Sequence, residues 1–180
     1  MHDPAAVLRF WFEEINRSLW FRKDADFDKL LAGRYGALHA QASLAELSAW
    51  RDAPAGRLAE IIVLDQFSRN LFRDSAKAFA QDGMALVLAQ EAVRCGADAA
   101  LSAQERVFLY MPYMHSESLA VHDAAVQLFT GNGIQGNLDF ELKHKAIIER
   151  FGRYPHRNAI LGRTSTAEEL AFLSQPGSSF

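Results

Sequence analysis

The chain is poor in the residues that build a β-protein, a disulfide scaffold or a membrane span. Its one cysteine, Cys95, excludes an internal disulfide and the cysteine-rich zinc modules, and suits a reducing compartment. Valine, isoleucine and threonine together number 17, against 29 alanines and 21 leucines, a balance that argues against a largely β fold. No segment alternates apolar and polar residues as a half-buried strand does. No stretch approaches the ~20 apolar residues that span a bilayer. The apolar run near the start is broken by Arg9 and followed by Glu13 and Glu14, unlike the basic start and long apolar stretch of a secretory signal. A cytoplasmic location is therefore expected. Net charge is only −3, which gives no reason to expect nucleic acid or a membrane surface as partner. The basic charge is nevertheless local: between Lys143 and Arg163, Glu149 is the single acid among six Lys or Arg.

With 49% hydrophobic and 23% charged residues, the composition is that of an ordinary globular chain. One domain over residues 1–180 is expected, ordered from about residue 3 to about residue 174. Helical punctuation is plentiful. Asp3 before Pro4 reads as an N-cap with proline at the first helical position, and Asp24 reads as another N-cap. Pro54 opens a segment whose apolar residues from Leu58 to Phe72 surround the axis, as in a buried helix. Arg94-Cys95-Gly96 reads as a helix stop. Ser102-Ala103-Gln104-Glu105 and Thr166-Ala167-Glu168-Glu169 are capping boxes. The helix from Ser102 is expected to stop near Pro112, and another to run from about Glu117 to Phe129. Gly131 to Asn137 reads as a glycine-rich connection, and Leu138 to Phe151 as a helix stopped by Gly152. Ser178 to Phe180 reads as a loose tail. The fold class is all-α, with roughly eight to ten helices and short connections that favour antiparallel neighbours.

Several motifs have plain structural explanations. Gly131-Asn132-Gly133-Ile134-Gln135-Gly136 matches G-x-G-x-x-G but follows a helix instead of a strand, which argues against a dinucleotide. Glu141 and His144 have the Glu-x-x-His spacing of di-iron bundles, whose second pair is missing. No cofactor or metal is expected, although a metal site assembled from distant His, Asp and Glu stays open as an alternative. Cys95 at a helix C-terminus is a poor thiolate.

Asp65 is different, because it interrupts the apolar run Ile61-Ile62-Val63-Leu64 and a buried carboxylate must be paired. Arg69 lies one turn on, and Gln66 and Asn70 form a parallel pair beside them. His115-Ser116-Glu117 falls at a break between helices. Arg150 to Arg163 brings Arg153, His156, Arg157, Asn158 and Arg163 among Phe151, Tyr154, Ile160 and Leu161. The 14 arginines against 5 lysines favour forked contacts with carboxylates or phosphates, including carboxylates of the chain itself such as Asp65 and Glu117.

Trp20-Phe21, Leu64-Asp65-Gln66-Phe67-x-Arg69-Asn70, His115-Ser116-Glu117 and the run from Arg150 to Asn158 continued by Leu161-Gly162-Arg163-x-Ser165-Thr166 together resemble the bacterial DUF924 family. The similarity covers about Ala5 to Leu173. It implies a tetratricopeptide-like arrangement of antiparallel helix pairs and no particular reaction. Ser68 stands where the family usually shows proline, which argues against Ser68 as a nucleophile. His122 stands where glutamine is common, which argues against a His115–His122 metal pair.

Two readings follow. In the first, a polar pocket between helices binds a small anionic molecule, with hydrolase or transferase activity. Asp65, His115, Glu117 and His156 would supply acid–base groups there, and Arg69, Asn70, His144, Arg153, Arg157, Asn158 and Arg163 would contact the ligand. In the second, a tetratricopeptide-like face binds a protein or peptide, and the polar cluster is a structural network. The sequence specifies no oligomeric state.

Overall fold

The computed structural model describes residues 3–179. Among them there is no strand. The helices are α1 Pro4–Arg9, α2 Ala25–Ser43, α3 Pro54–Ile62, α4 Ser68–Leu71, α5 Asp82–Arg94, α6 Ala103–Met114, α7 Leu119–Asn132, α8 Gln135–Phe151 and α9 Ala167–Leu173, with short 3-10 turns between several of them. The all-α class expected from composition is the class observed. Its punctuation is as read: Asp3 accepts from the Ala6 amide at 2.7 Å, Asp24 accepts from the Phe27 amide at 3.0 Å, and both capping boxes close.

Helix α6 ends at Met114, close to Pro112 as expected, with His115 as its C-cap. The proline sits in the last turn, where it forfeits only one backbone hydrogen bond. Two local expectations are corrected. The glycine-rich stretch is not a seven-residue loop: Gly131 and Asn132 finish α7, and α8 starts at Gln135. Gly133, at φ 77°, makes the whole reversal in the left-handed region. The long buried helix is also not uniform. A π turn at Val63–Phe67 separates α3 from α4, and the wider turn changes which side chains face one another. Gln66 and Asn70 therefore form no pair: Gln66 donates to Asp65 and Asn70 to Asp28. At the far end, Ser178 is buried and its hydroxyl donates to the Leu173 carbonyl, so this part of the expected tail is held. Phe180 lies outside the described residues.

The main core gathers Phe10 and Trp11, Leu31 and Tyr35 of α2, Ile61 and Phe67 around the π turn, and Phe108 of α6. Aromatic edges meet faces here, as where Trp11 and Phe108 stand 5.7 Å apart at 87°, a geometry favoured by ring quadrupoles. Helices α6, α7 and α8 pack against one another in sequence. A smaller apolar cluster of Ile147, Ile148 and Tyr154, flanked by Phe151 and Phe172, ties the C-terminal segment to α8. The outcome is that the π turn, the end of α6 and the turn at Pro155–Arg157 meet. Among the described residues no helix is long and apolar enough to cross a membrane.

Candidate functional site

Asp65 lies in the π turn and is wholly buried. Leaving a carboxylate bare there would cost several kcal/mol, order of magnitude, and three side chains offset that cost. The His115 Nδ1 stands 2.7 Å from Oδ1, Gln66 donates to Oδ2 at 2.7 Å, and the Arg69 guanidinium is 3.3 Å away. Burial pushes the carboxyl up, but His115 and Arg69 outweigh it and hold it well below the usual range. Ionised Asp65 can only accept, so Nδ1 of His115 carries the hydrogen. In the neutral ring, Nε2 is then the basic nitrogen, and it has no protein hydrogen-bond partner among the described residues.

His115 lines a cavity of about 360 Å³ between the start of α5, the end of α6 and the Pro155–Arg157 turn. Phe79, Leu86, Pro112 and Leu161 form its apolar wall, and Asp82, His115, Glu117 and Arg157 its charged and titratable one. A larger groove of about 780 Å³ beside α1 and Trp50 contains none of the candidate residues.

Most of the arginines here already have carboxylates. Arg69 grips Asp82 through both nitrogens, at 2.6 and 3.0 Å. Arg163 grips Glu117 at 2.7 and 2.9 Å, and the Tyr154 amide donates to Glu117 at 2.7 Å. Burial raises Glu117, yet these donors outweigh it and lower its carboxyl. Arg153 grips Glu169 at 2.7 and 2.9 Å, holding that carboxyl at about 2 together with the Thr166 amide. The expected clamp of four arginines is therefore not assembled, because three of them are paired within the chain. Arg157 is the exception. Its Nη2 donates to the His115 carbonyl at 3.0 Å, its Nη1 is 3.5 Å from Asp82, and its Nε is buried without a hydrogen-bond partner. Arg157 is only 7% exposed, and the rings of Phe79 and Tyr154 each lie 4.6 Å from its guanidinium carbon.

The end of α6 is held by side chains on three successive carbonyls. The Tyr154 hydroxyl donates to Met114 at 2.6 Å, Arg157 to His115, and His122 Nε2 to Ser116 at 2.9 Å. Such groups answer both the unpaired carbonyls and the negative end of the helix dipole. His122 Nδ1 in turn meets Glu141 at 2.7 Å, with both side chains wholly buried. Because Nε2 must donate, one further proton lies between Nδ1 and Glu141 whichever atom holds it. Burial raises the Glu141 carboxyl.

Asp65, Arg69, His115, Glu117, Arg157 and Arg163 thus form one connected network, completed by Asp82 and Tyr154. His115, Glu117 and Arg157 line the cavity. His156 packs its ring 5.6 Å from Tyr154, and burial and Arg157 push it down to about 4. His144 turns its ring edge-on to Tyr154 at 5.8 Å and donates to the Phe140 carbonyl, with burial pushing it down to about 3. Both rings are neutral at pH 7. Asn70 serves Asp28, and Asn158 joins Ser165, Glu169 and Arg163, so neither borders the cavity. Ser68 is buried, with its hydroxyl on the Leu64 carbonyl and the His39 ring, far from a nucleophile's exposure. Among the described residues no three His, Cys, Asp or Glu stand as a metal-binding group. Sequence reasoning missed Asp82, whose place in the first turn of α5 is already explained by the helix dipole, and the His122–Glu141 pair.

A family described as bacterial proteins of unknown function, DUF924, matches residues 7–177. A solved structure of a protein of unknown function from Agrobacterium tumefaciens is 40% identical, covers 95% of this chain and 96% of its own, and superposes with a TM-score of 0.90. No curated protein matches.

Proposed function

The chain belongs to DUF924, whose activity is not established, and from the cavity we propose that it binds a small anionic molecule and performs acid–base chemistry on it, as a hydrolase or transferase. The carrying observation is the Asp65–His115 pair: a buried carboxylate behind Nδ1 leaves Nε2 as the basic nitrogen of a residue that lines the cavity. In this reading His115 takes a proton from water or from a substrate hydroxyl, and Asp65 orients the ring and stabilises its charged form. Arg157 meets the anion, while Arg69 and Arg163 keep Asp82 and Glu117 occupied. A cavity of about 360 Å³ falls within the usual range for small-molecule sites. The free, exposed Cys95 fits a cytoplasmic setting.

A panel of small phosphates and carboxylates at matched ionic strength tests this reading. A ligand held only by the folded state raises the thermal midpoint by mass action, so selected anions should raise it and salt controls should not. A second reading, a tetratricopeptide-like interaction module with a purely structural network, is supported by the pairing of Arg153 and Arg163 with the chain's own carboxylates. It predicts no selectivity among anions.

A further inference from the structure

We propose that the buried His122–Glu141 pair is a proton-operated latch on the end of α6. While the pair keeps its extra proton, it holds the Ser116 carbonyl. Once alkali removes that proton, the imidazole changes tautomer, the Tyr154 hydroxyl turns from Met114 to His122, and the helix end that carries His115 is released. This goes beyond the reading of the cavity and depends on no ligand there.

The closed state is set by counting hydrogens. The Ser116 carbonyl can only accept, so His122 Nε2, 2.9 Å away, carries a hydrogen. Nδ1 lies 2.7 Å from Glu141 Oε1, and that contact needs a second hydrogen, on the ring or on the carboxyl. Both side chains are wholly buried, and Glu141 Oε2 has no hydrogen-bond partner. A bare carboxylate oxygen is far costlier to bury than the carbonyl oxygen of a carboxylic acid, which favours a neutral imidazole and Glu141 as the acid. Burial raising the Glu141 carboxyl agrees with this. The Tyr154 hydroxyl meanwhile gives its hydrogen to Met114 at 2.6 Å.

The open state has one hydrogen fewer. Hydroxide takes the Nε2 hydrogen and becomes water, while the carboxyl proton crosses to Nδ1 and leaves Glu141 ionised. Nδ1 keeps that hydrogen, because a hydrogen bond to a charged acceptor is roughly twice as strong as one to a neutral carbonyl. Nε2 is then a bare lone pair, 2.9 Å from a carbonyl that repels it and 3.2 Å from the Tyr154 hydroxyl. A hydroxyl has a single hydrogen, so giving it to Nε2 takes it from Met114. The Met114 and Ser116 carbonyls thereby lose their donors, and the His115 carbonyl between them keeps Arg157.

The groups around the pair leave this proton as the one that moves. His144 on α8 and His156 beside Tyr154 are kept neutral chiefly by burial. Lys145, also on α8, is held charged by Asp123 and Glu149. In the C-terminal segment, burial pushes the Tyr154 hydroxyl well above its usual range, so it keeps its hydrogen. Arg157 stays a cation, as a guanidinium does, and Arg163 holds Glu117 ionised. His115 acts on Glu141 from the end of α6, and its own Nδ1 hydrogen is fixed on Asp65.

The test follows protein labelled with ¹⁵N and ¹³C by NMR from about pH 7 to about pH 10, the alkaline side of an ordinary imidazole. The His122 ring nitrogens are assigned by their loss in His122→Gln, and the carbonyl ¹³C signals of Met114, His115 and Ser116 are read on the same samples. In the wild type, His122 is expected to pass from Nε2–H to Nδ1–H. The Met114 and Ser116 carbonyl signals should shift with the same midpoint while that of His115 stays. Glu141→Gln, whose amide can donate to Nδ1 but has no proton to lose, should keep Nε2–H and both carbonyl signals fixed throughout. If wild-type His122 shows Nδ1–H already at neutral pH, or keeps Nε2–H up to about pH 10, the latch is overturned. A tautomer change with unmoved Met114 and Ser116 signals overturns it equally, since the pair would then titrate without working the helix end. The same transition in Glu141→Gln removes Glu141 from the device and overturns it. Should that variant fail to fold, His122→Gln takes its place. Its amide offers a donor to Ser116 and an acceptor to the Glu141 acid, so its carbonyl signals should stay fixed, and a shift like that of the wild type overturns the latch.

Discussion

The Arg157 guanidinium donates to the main-chain carbonyl of His115 at 3.0 Å, so the cation on the cavity wall also fixes the helix end that carries the imidazole. Tyr154 and His122 hold the carbonyls on either side. His115 is thereby set from two directions, through its backbone by the C-terminal segment and α7, and through its ring by Asp65. A ligand that engages Arg157 acts on a group already coupled to the base.

Tyr154→Phe tests the backbone half of this arrangement. The hydroxyl is buried, donates to Met114 and lies 3.2 Å from His122 Nε2. Its loss leaves a buried carbonyl without its donor, at a cost of about 1–3 kcal/mol. Urea midpoints at unchanged slope should show that loss. A neutral outcome would mean that the end of α6 is not held from Tyr154.

Asp65→Asn tests the ring half. His115 and Arg69 both approach Oδ1, whereas Oδ2 meets the reversible amide of Gln66. Arg69 can only donate, so the asparagine should turn its oxygen toward Arg69 and His115 and its nitrogen toward Gln66. The ring is then expected to keep its hydrogen on Nδ1 in the variant as in the wild type. Nitrogen chemical shifts of His115 at mildly alkaline pH report the tautomer, and a switch to Nε2–H would contradict this orientation.

How much of the site was legible depended on whether a residue had a sufficient local explanation. Asp65 stood out because no local pattern excuses a carboxylate within Ile61-Ile62-Val63-Leu64, and Arg69 was visible one turn away. His115 is fifty residues further on, and nothing local joins it to Asp65. Glu117 was legible as a counter-charge for the arginine run, and Arg163 does hold it, whereas Asp82 and Glu169 were hidden as partners because each suits a helix start on its own. Part of the arginine run therefore read as a surplus of charge. In the fold, caps were readable because they are local. The π turn has no sequence signature, and glycine density concealed that Gly133 alone makes the reversal between α7 and α8.

Acid sensitivity should come in part from the histidines that pack against Tyr154. Burial lowers His156 to about 4 and His144 to about 3, from an ordinary 6.5. As pH falls below about 6.5, the unfolded chain takes up protons that these folded rings refuse. Their contribution is thus complete above that pH and declines down to the folded values, by about 1.4 kcal/mol per pH unit for each ring. His156→Asn should lose stability less steeply than wild type by that amount between about pH 6 and about pH 5. Parallel denaturation profiles would show that His156 is not held neutral.

Gly56 lies near the start of α3, where a Cβ would stand 1.9 Å from the Trp50 carbonyl oxygen. That oxygen belongs to the backbone and cannot rotate aside. Gly56→Ala should cost about 3 kcal/mol, as other overpacking does, read as a lowered urea midpoint. An unchanged midpoint would mean that the turn at Ser48–Asp52 does not pack so closely on α3.

Arg69→Ala and Arg157→Ala should differ in a fixed order. Removing Arg69 takes the bidentate partner from Asp82 and one of three partners from wholly buried Asp65. Breaking a buried pair of this kind costs ~3–5 kcal/mol, here toward the lower end because the arginine is 22% exposed. Removing Arg157 leaves Asp82 with Arg69 and deprives the His115 carbonyl of its donor, a loss of ~1–3 kcal/mol. Urea melts of both variants at one pH measure the difference directly. If Arg157→Ala proved the more damaging, Arg157 would be the charge that Asp82 depends on, and its guanidinium would not be at the disposal of a ligand.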